Sequence, residues 1–288
     1  MADGLLLNDG TTVDGTFLRG NSRQITFVEQ RGSRTRDFPI RDVKTVYFGD
    51  AWRAGGSRLP RNPRNLPPAA GRSGSEIAQK YASLGGEGGL LGPAFAEEQA
   101  TANGRGRLRH YRDATIYWSP ETGAFEVHGA IRQKYTQIGA AEGAFGFPKS
   151  DEMDAADGGK YNHFENGSIY YHPQTGAQAI FGGIRDKWAA LGWERSSLGY
   201  PQDGEQATAD GQGRFVNFQN GLLYWHPQHG GHAVQGRILE EWQRQGAERS
   251  PLGYPTGDEQ IAGRGRRQEF QNGSLVLSPQ GAVRVERR

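Results

Sequence analysis

The chain of 288 residues contains no cysteine, which excludes disulfides, thiolate nucleophiles and thiolate metal sites. A reducing compartment and many bacterial secreted proteins both meet that condition. No apolar run approaches the roughly 18 residues of a spanning helix, so no membrane span is expected. Met1-Ala2-Asp3-Gly4 lacks the basic and apolar regions of a secretory leader, so cytoplasmic residence is one expectation and a missing leader the other. Charge of one sign is also lacking, with a formal net charge of +2. The excess is local: Arg53, Arg58, Arg61, Arg64 and Arg72 face only Glu76 between residues 51 and 76. A nearly neutral remainder argues against a general phosphate binder. Lysine is scarce, 6 against 28 arginines, a bias associated with GC-rich bacterial genomes.

Catalytic signatures are absent too. There is no Gly-x-Ser-x-Gly, no Walker loop and no His-Glu-x-x-His, and the serines have no paired base. The spacing His226-x-x-His229-x-x-His232 falls in a Pro/Gly-rich turn, with no counterpart in related segments. No metal or cofactor is expected there. The chain reads as non-enzymatic.

What is present is repetition. Ile77-Ala78-Gln79-Lys80-Tyr81 recurs at Ile131, Ile184 and Ile238, offsets of 54, 53 and 54 residues. Two further anchors hold the register: Leu91-Gly92, Phe145-Gly146-Phe147-Pro148, Leu198-Gly199-Tyr200-Pro201 and Leu252-Gly253-Tyr254-Pro255, then Tyr117-Trp118, Tyr170-Tyr171, Tyr224-Trp225 and Val276-Leu277. Such a period marks units that complete their cores only against their neighbours. The units run 77–130, 131–183, 184–237 and 238–288. Each predicts a helix of about eight residues ended by glycine, then short strands joined at Asn166-Gly167, Asn220-Gly221 and Asn272-Gly273. The expected fold class is mainly β, a four-repeat propeller-like domain with one short helix per repeat; an open solenoid is the alternative. Residues 1–50 read as five short strands able to bury a core by curling into a small barrel. Residues 51–76 form an Arg/Pro/Gly-rich linker.

Two resemblances follow from these residues. Leu-x-Asn-Asp-Gly-x-x-Val-x-Gly-Thr, closing with Ile-x-Asp-Val-x-x-Val-Tyr-Phe, resembles an Sm-like, SH3-like small barrel. The segment 145–192, from Phe145-Gly146-Phe147-Pro148 through Gly159-Lys160-Tyr161-Asn162-His163-Phe164 to Gly192, resembles the LGFP repeat. That resemblance covers most of the chain. It implies an actinobacterial envelope protein whose pseudo-symmetric propeller holds cell-wall polysaccharide, an arabinogalactan-like glycan. The first copy departs at Leu91-Gly92-Pro93-Ala94, and the fourth has Val276-Leu277 for the aromatic pair.

Ligand-binding candidates come from the repeated aromatic strand. Trp118, Tyr171 and Trp225 share a face with Ile116, Ile169 and Leu223 and are expected in the core. Tyr117, Tyr170 and Tyr224 face the other way, with His172 and His226. A ring beside a polar group suits a sugar, whose C–H face it covers; the alternative is packing between repeats. Phe147, Tyr200 and Tyr254 of the LGFP turns are further candidates. Glu98, Glu152, Glu205 and Glu259 recur with Arg107, Lys160, Arg214 and Arg266, a pattern that suggests structural ion pairs. Weak contacts on several units would add up by multivalency. The fourth unit is expected to close the array without a site. The competing reading is a cytoplasmic scaffold for protein or RNA, using the N-terminal barrel and basic linker. Homo-oligomers through residues 1–50 are possible in either case.

Overall fold

The structure is a computed structural model describing residues 3–9, 11–20, 24–29, 34–47 and 74–287. The linker arginines and the glycine of the Asn8-Asp9-Gly10 turn lie outside the described residues. The chain divides into two compact units, Met1–Arg72 and Ser73–Arg288.

The first unit carries β1 (Asp3–Leu7), β2 (Thr12–Gly20), β3 (Gln24–Glu29), β4 (Thr35–Pro39) and β5 (Val43–Tyr47), in the antiparallel order β4-β3-β2-β1-β5. The turn between β1 and β2 is held by Asp9, whose Oδ1 accepts the Thr11 N–H at 2.8 Å. Leu5 and Phe38 are buried in its core. A 3-10 turn at Ile40–Asp42 joins the two edge strands. Among the described residues β4 and β5 do not pair, so the pairing establishes a five-stranded sheet and not a closed barrel.

The second unit is mainly β, with four antiparallel sheets of four strands and one short helix per repeat. Helix α1 (Glu76–Ser83) precedes β6 (Gln99–Ala100), β7 (Arg107–His110), β8 (Ala114–Ser119) and β9 (Gly123–His128). Next come α2 (Gly129–Gln137), β10 (Met153–Asp154), β11 (Lys160–His163), β12 (Gly167–His172) and β13 (Gly176–Phe181). The third repeat holds α3 (Gly182–Leu191), β14 (Gln206–Ala207), β15 (Arg214–Phe218), β16 (Gly221–His226) and β17 (Gly230–Gln235). The fourth holds α4 (Gly236–Arg244), β18 (Gln260–Ala262), β19 (Gly265–Phe270), β20 (Gly273–Leu277) and β21 (Val283–Arg287). Each sheet is a simple meander, the blade-like unit of a propeller.

The repeated sequence motif has a local cause. Gly146, Gly199 and Gly253 take φ of 65°, 72° and 72°, a left-handed conformation open to glycine. Glu165, Gln219 and Gln271 then accept the next backbone N–H, of Phe147, Tyr200 and Tyr254, at 2.8, 2.9 and 2.8 Å. A Cβ on Gly146 would lie 2.1 Å from Glu165 Oε2, so a side chain there would also displace the carboxylate that holds the turn. The following proline bridges the aromatic of the next strand, at Pro148–Phe164, Pro201–Phe218 and Pro255–Phe270. In the first copy Ala94 bridges Tyr111 in the same way.

The cores lie between sheets. Tyr117 and Val127 of the first sheet share a buried cluster with Ile131 and Tyr135 of α2 and with Phe164 and Ile169 of the second sheet. Tyr170 and Ile180 do the same through α3 with Phe218 and Leu223, and Tyr224 and Val234 through α4 with Phe270 and Leu275. Each interior helix is therefore covered on two sides. Polar clasps follow a longer period of two repeats. Lys80 pairs with Asp151 and Lys187 with Asp258, while Asn162 Nδ2 donates to Glu126 O at 3.1 Å and Gln268 Nε2 to Ala233 O at 2.8 Å.

The outer face of the fourth sheet differs. Where the first three sheets place Leu108, Tyr161 and Phe215, it has Arg267; where they place Val127, Ile180 and Val234, it has Glu286. Arg267 pairs with Glu269 and Glu286, so charge replaces the apolar stripe that the other sheets bury.

Candidate functional site

All eight sequence-derived ligand residues are buried. Tyr117, Tyr170 and Tyr224 retain 3%, 2% and 5% of their surface, and Phe147, Tyr200 and Tyr254 retain 0%, 2% and 3%. His172 and His226 are buried as well, His172 stacked on Tyr200 and His226 tilted against Tyr254, with ring centroids 4.5 and 4.6 Å away. His172 Nδ1 accepts the Gln174 N–H at 3.3 Å and His226 Nδ1 the Gln228 N–H at 3.2 Å, so both rings serve the turn after their strand. The reading of these residues as solvent-facing sugar contacts is corrected. The alternation along the strand is present, but the face assigned to solvent packs against the next repeat's helix.

The partner face packs against the buried clusters as expected, but incompletely. Trp118, Tyr171 and Trp225 are the half-buried members of the aromatic pairs. Each stands directly across from a basic residue in the hairpin register: Arg107 opposite Trp118, Lys160 opposite Tyr171, Arg214 opposite Trp225. The Arg107 guanidinium carbon lies 4.1 Å from the Trp118 ring centre, a cation–π contact. Recurrent carboxylates complete the group. Glu98 pairs with Arg107 at 2.6 Å, Glu205 with Arg214 at 3.7 Å and Glu259 with Arg266 at 3.1 Å. Burial raises the Glu205 carboxyl above the usual range, against the pull of Arg214. In the second repeat Lys160 turns to Asp154 instead. In the fourth, Arg266 faces Leu277, and the ring is missing. A half-buried ring, a cation and a carboxylate on adjacent strands offer an apolar surface, donors and acceptors within one small area.

Glu152 is free of Lys160 because His128 claims it. His128 Nδ1 lies 2.7 Å from Glu126 Oε2 and Nε2 lies 3.1 Å from Glu152 Oε1. Hydrogen bonds to Glu126 and then Glu152 push its pKa up to about 10. This imidazolium ties the first sheet to the second. The three-histidine spacing resolves into local contacts: His232 Nε2 lies 2.8 Å from His229 O, and its Nδ1 lies 3.4 Å from Asp258. Among the described residues no group of His, Cys, Asp or Glu is arranged to hold a metal ion. No helix among them is long and apolar enough to cross a membrane.

Tandem four-stranded sheets with a recurring surface group define a repeat-containing binding protein. The LGFP repeat matches residues 91–143, 145–196, 198–250 and 252–288, and the chain belongs to the LGFP repeat family. No curated protein matches it. Among solved structures it is similar to a hemopexin fold protein from cow pea, 11% identical over 63% of this chain and 86% of that one, TM-score 0.19. A catalytically inactive virginiamycin B lyase from Staphylococcus aureus with quinupristin is 9% identical over 97% and 75% of the two chains, TM-score 0.15. At such TM-scores neither likeness carries an argument.

Proposed function

We propose that the second unit is a non-enzymatic module that binds cell-wall polysaccharide, with one subsite on each of its first three repeats. The carrying observation is the cross-strand pairing of a half-buried ring with a cation, Trp118 with Arg107, Tyr171 with Lys160 and Trp225 with Arg214, and its loss at Leu277. A pyranose or furanose lays its C–H face on such a ring, while the cation and the nearby Glu98 or Glu205 bond hydroxyls. One contact of this kind is weak. On a polymer the second and third occur at high effective concentration, so retention exceeds that of any single subsite. A position at the cell surface follows from this reading.

The test is retention of the full chain on insoluble actinobacterial wall, with soluble arabinogalactan as competitor. Competed retention, lost in a Trp118→Ala/Tyr171→Ala/Trp225→Ala variant that still unfolds cooperatively, supports the reading. Absence of retention on wall and on soluble glycans sinks it.

A further inference from the structure

Two of the three clefts between sheets share a second constellation. His110 on β7 and His163 on β11 hold equivalent places. Each Nδ1 is tied to a buried hydroxyl on the paired strand, Thr115 Oγ1 at 2.9 Å and Ser168 Oγ at 2.8 Å. Among the described residues neither Nε2 makes a hydrogen bond. Burial, then the charge of Arg132, pushes His110 down to about 4, and burial, then Arg185 and Lys149, lowers His163. Both rings are thus neutral at neutral pH. With the hydroxyl donating to Nδ1, Nε2–H is left as a donor.

The helix between the sheets carries an arginine at the equivalent place in both: Arg185 of α3 shares the Ser168 hydroxyl with His163, and the charge of Arg132 of α2 acts on His110. Arg132 of α2 is half-buried, and among the described residues its guanidinium makes no hydrogen bond or ion pair, while its carbonyl accepts the Thr136 hydroxyl at 2.8 Å. Burial lowers its pKa, with Tyr117 and Asp113 acting weakly the other way. A desolvated guanidinium without a counter-anion gains more from one than a solvated surface arginine does. Arg185 of α3 donates from Nε to Ser168 Oγ at 2.8 Å and leans on the exposed Asp186 at 3.2 Å. Its fork is only partly committed. Glu142 and Glu194 also border these clefts, but each is engaged by a loop N–H, of Ala102 at 3.0 Å and Ala156 at 3.2 Å.

Each pair has an aromatic flank. Phe95, 62% exposed, lies parallel to His110 with centroids 5.9 Å apart. Trp193 sits 5.5 Å from His163, and Arg185 lies 5.5 Å from its ring centre. Trp193 has φ 57°, where the other copies place Gly86, Ala140 and Ala247. A bulky side chain is held in the left-handed region only against a backbone penalty. The third cleft has none of this. Asn217 takes the histidine position and bonds to Asp203, Leu239 takes the arginine position, and Ala247 replaces the ring.

We propose that the clefts of the first two sheet pairs bind the acid groups of an anionic glycan, a carboxylate- or phosphate-bearing saccharide, on Arg132 with His110 and on Arg185 with His163. The assignment rests on the glycan reading and narrows its substrate class. Phe95 and Trp193 would cover the sugar face beside the acid group.

The full chain would be titrated with polygalacturonate, poly(glycerol phosphate), neutral dextran and soluble arabinogalactan, at low and moderate salt. The expected result is preference for a polyanion, weakened roughly tenfold or more in Arg132→Gln/Arg185→Gln, with arabinogalactan binding unchanged. Binding of polygalacturonate alone marks a carboxylate as the ligand group, and of poly(glycerol phosphate) alone a phosphate. Equal polyanion binding by wild type and variant overturns the assignment, as does a wild type with no polyanion preference. If arabinogalactan is retained in either case, the broader reading stands; if no glycan is held, both fall. In case the double variant misfolds, the wild-type protein supplies an independent readout. Addition of a bound polyanion should shift the imidazole resonances of His110 and His163, and unmoved resonances count against the site.

Discussion

The ring of Tyr170 meets the Trp188 indole edge-on, centroids 4.6 Å apart and planes at 66°. The same joint recurs at Tyr117–Tyr135, 5.3 Å and 79°, and at Tyr224–Trp242, 4.8 Å and 75°. Each joins a strand of one repeat to the helix of the next. Edge-to-face pairs add to the area they bury, so these rings hold the array together. Tyr170→Ala is expected to destabilise the second unit by about 3–5 kcal/mol, the range for deleting a buried aromatic. Urea denaturation measures it. An unchanged midpoint with weaker wall retention would return Tyr170 to the ligand-contact role.

Much of this was legible before the structure. The period, the helix stops at Gly139, Gly192 and Gly246, and the sheet-per-repeat plan follow from spacing and turn chemistry alone. Strand alternation also separated Tyr170 from Tyr171 correctly. Alternation says which residues share a face, not what covers each face. In a single sheet the face without Ile169 would be the wet one, but here a helix covers it. The ring–cation pairs were within reach. Arg107 and Trp118 become partners once the turn between β7 and β8 is fixed. The His–Arg clefts were not, because Arg132 and His110 belong to different repeats and act on each other only when those repeats pack.

His128 gives the array a pH dependence with a definite sign. Its folded pKa is raised from 6.5 to about 10. The stability it contributes is therefore fully present below about 6.5 and is lost as pH rises toward 10. The facing groups are Glu126 and Glu152, with Asp151 accepting the Glu126 N–H and Lys80 paired to Asp151. The stability difference between wild type and His128→Gln should be largest near pH 6 and shrink steadily toward pH 10. A difference that stays flat across that window contradicts a charged clasp.

The charged outer face of the fourth sheet carries a separate expectation. Arg267, Glu269 and Glu286 occupy places that are apolar or neutral in the sheets that continue the array. Arg267→Leu/Glu269→Asn/Glu286→Val would rebuild the stripe that elsewhere packs on a helix. An exposed stripe of that kind invites a partner. Sedimentation should show stronger concentration-dependent association of the variant than of the parent chain. A triple variant that associates no more than the parent would mean that the charges do not act as an end cap.

The fourth repeat also allows a gain-of-function test. It retains the cation and carboxylate, Arg266 with Glu259 at 3.1 Å, and lacks only the ring across from the cation. Leu277 is half-buried at that place. Leu277→Trp should therefore create a fourth subsite without rebuilding its polar part. Stacking on one ring contributes about 0.5–1.5 kcal/mol, which is a few-fold to roughly tenfold in affinity. On a polymer the gain should be larger than on a short oligosaccharide, because the new contact forms at high effective concentration. Calorimetry with both ligands separates the two effects. Equal gains on short and long glycans would show that the subsites do not act together. No gain on either, in a variant as stable as the parent, would show that the ring–cation pair is not the contact surface.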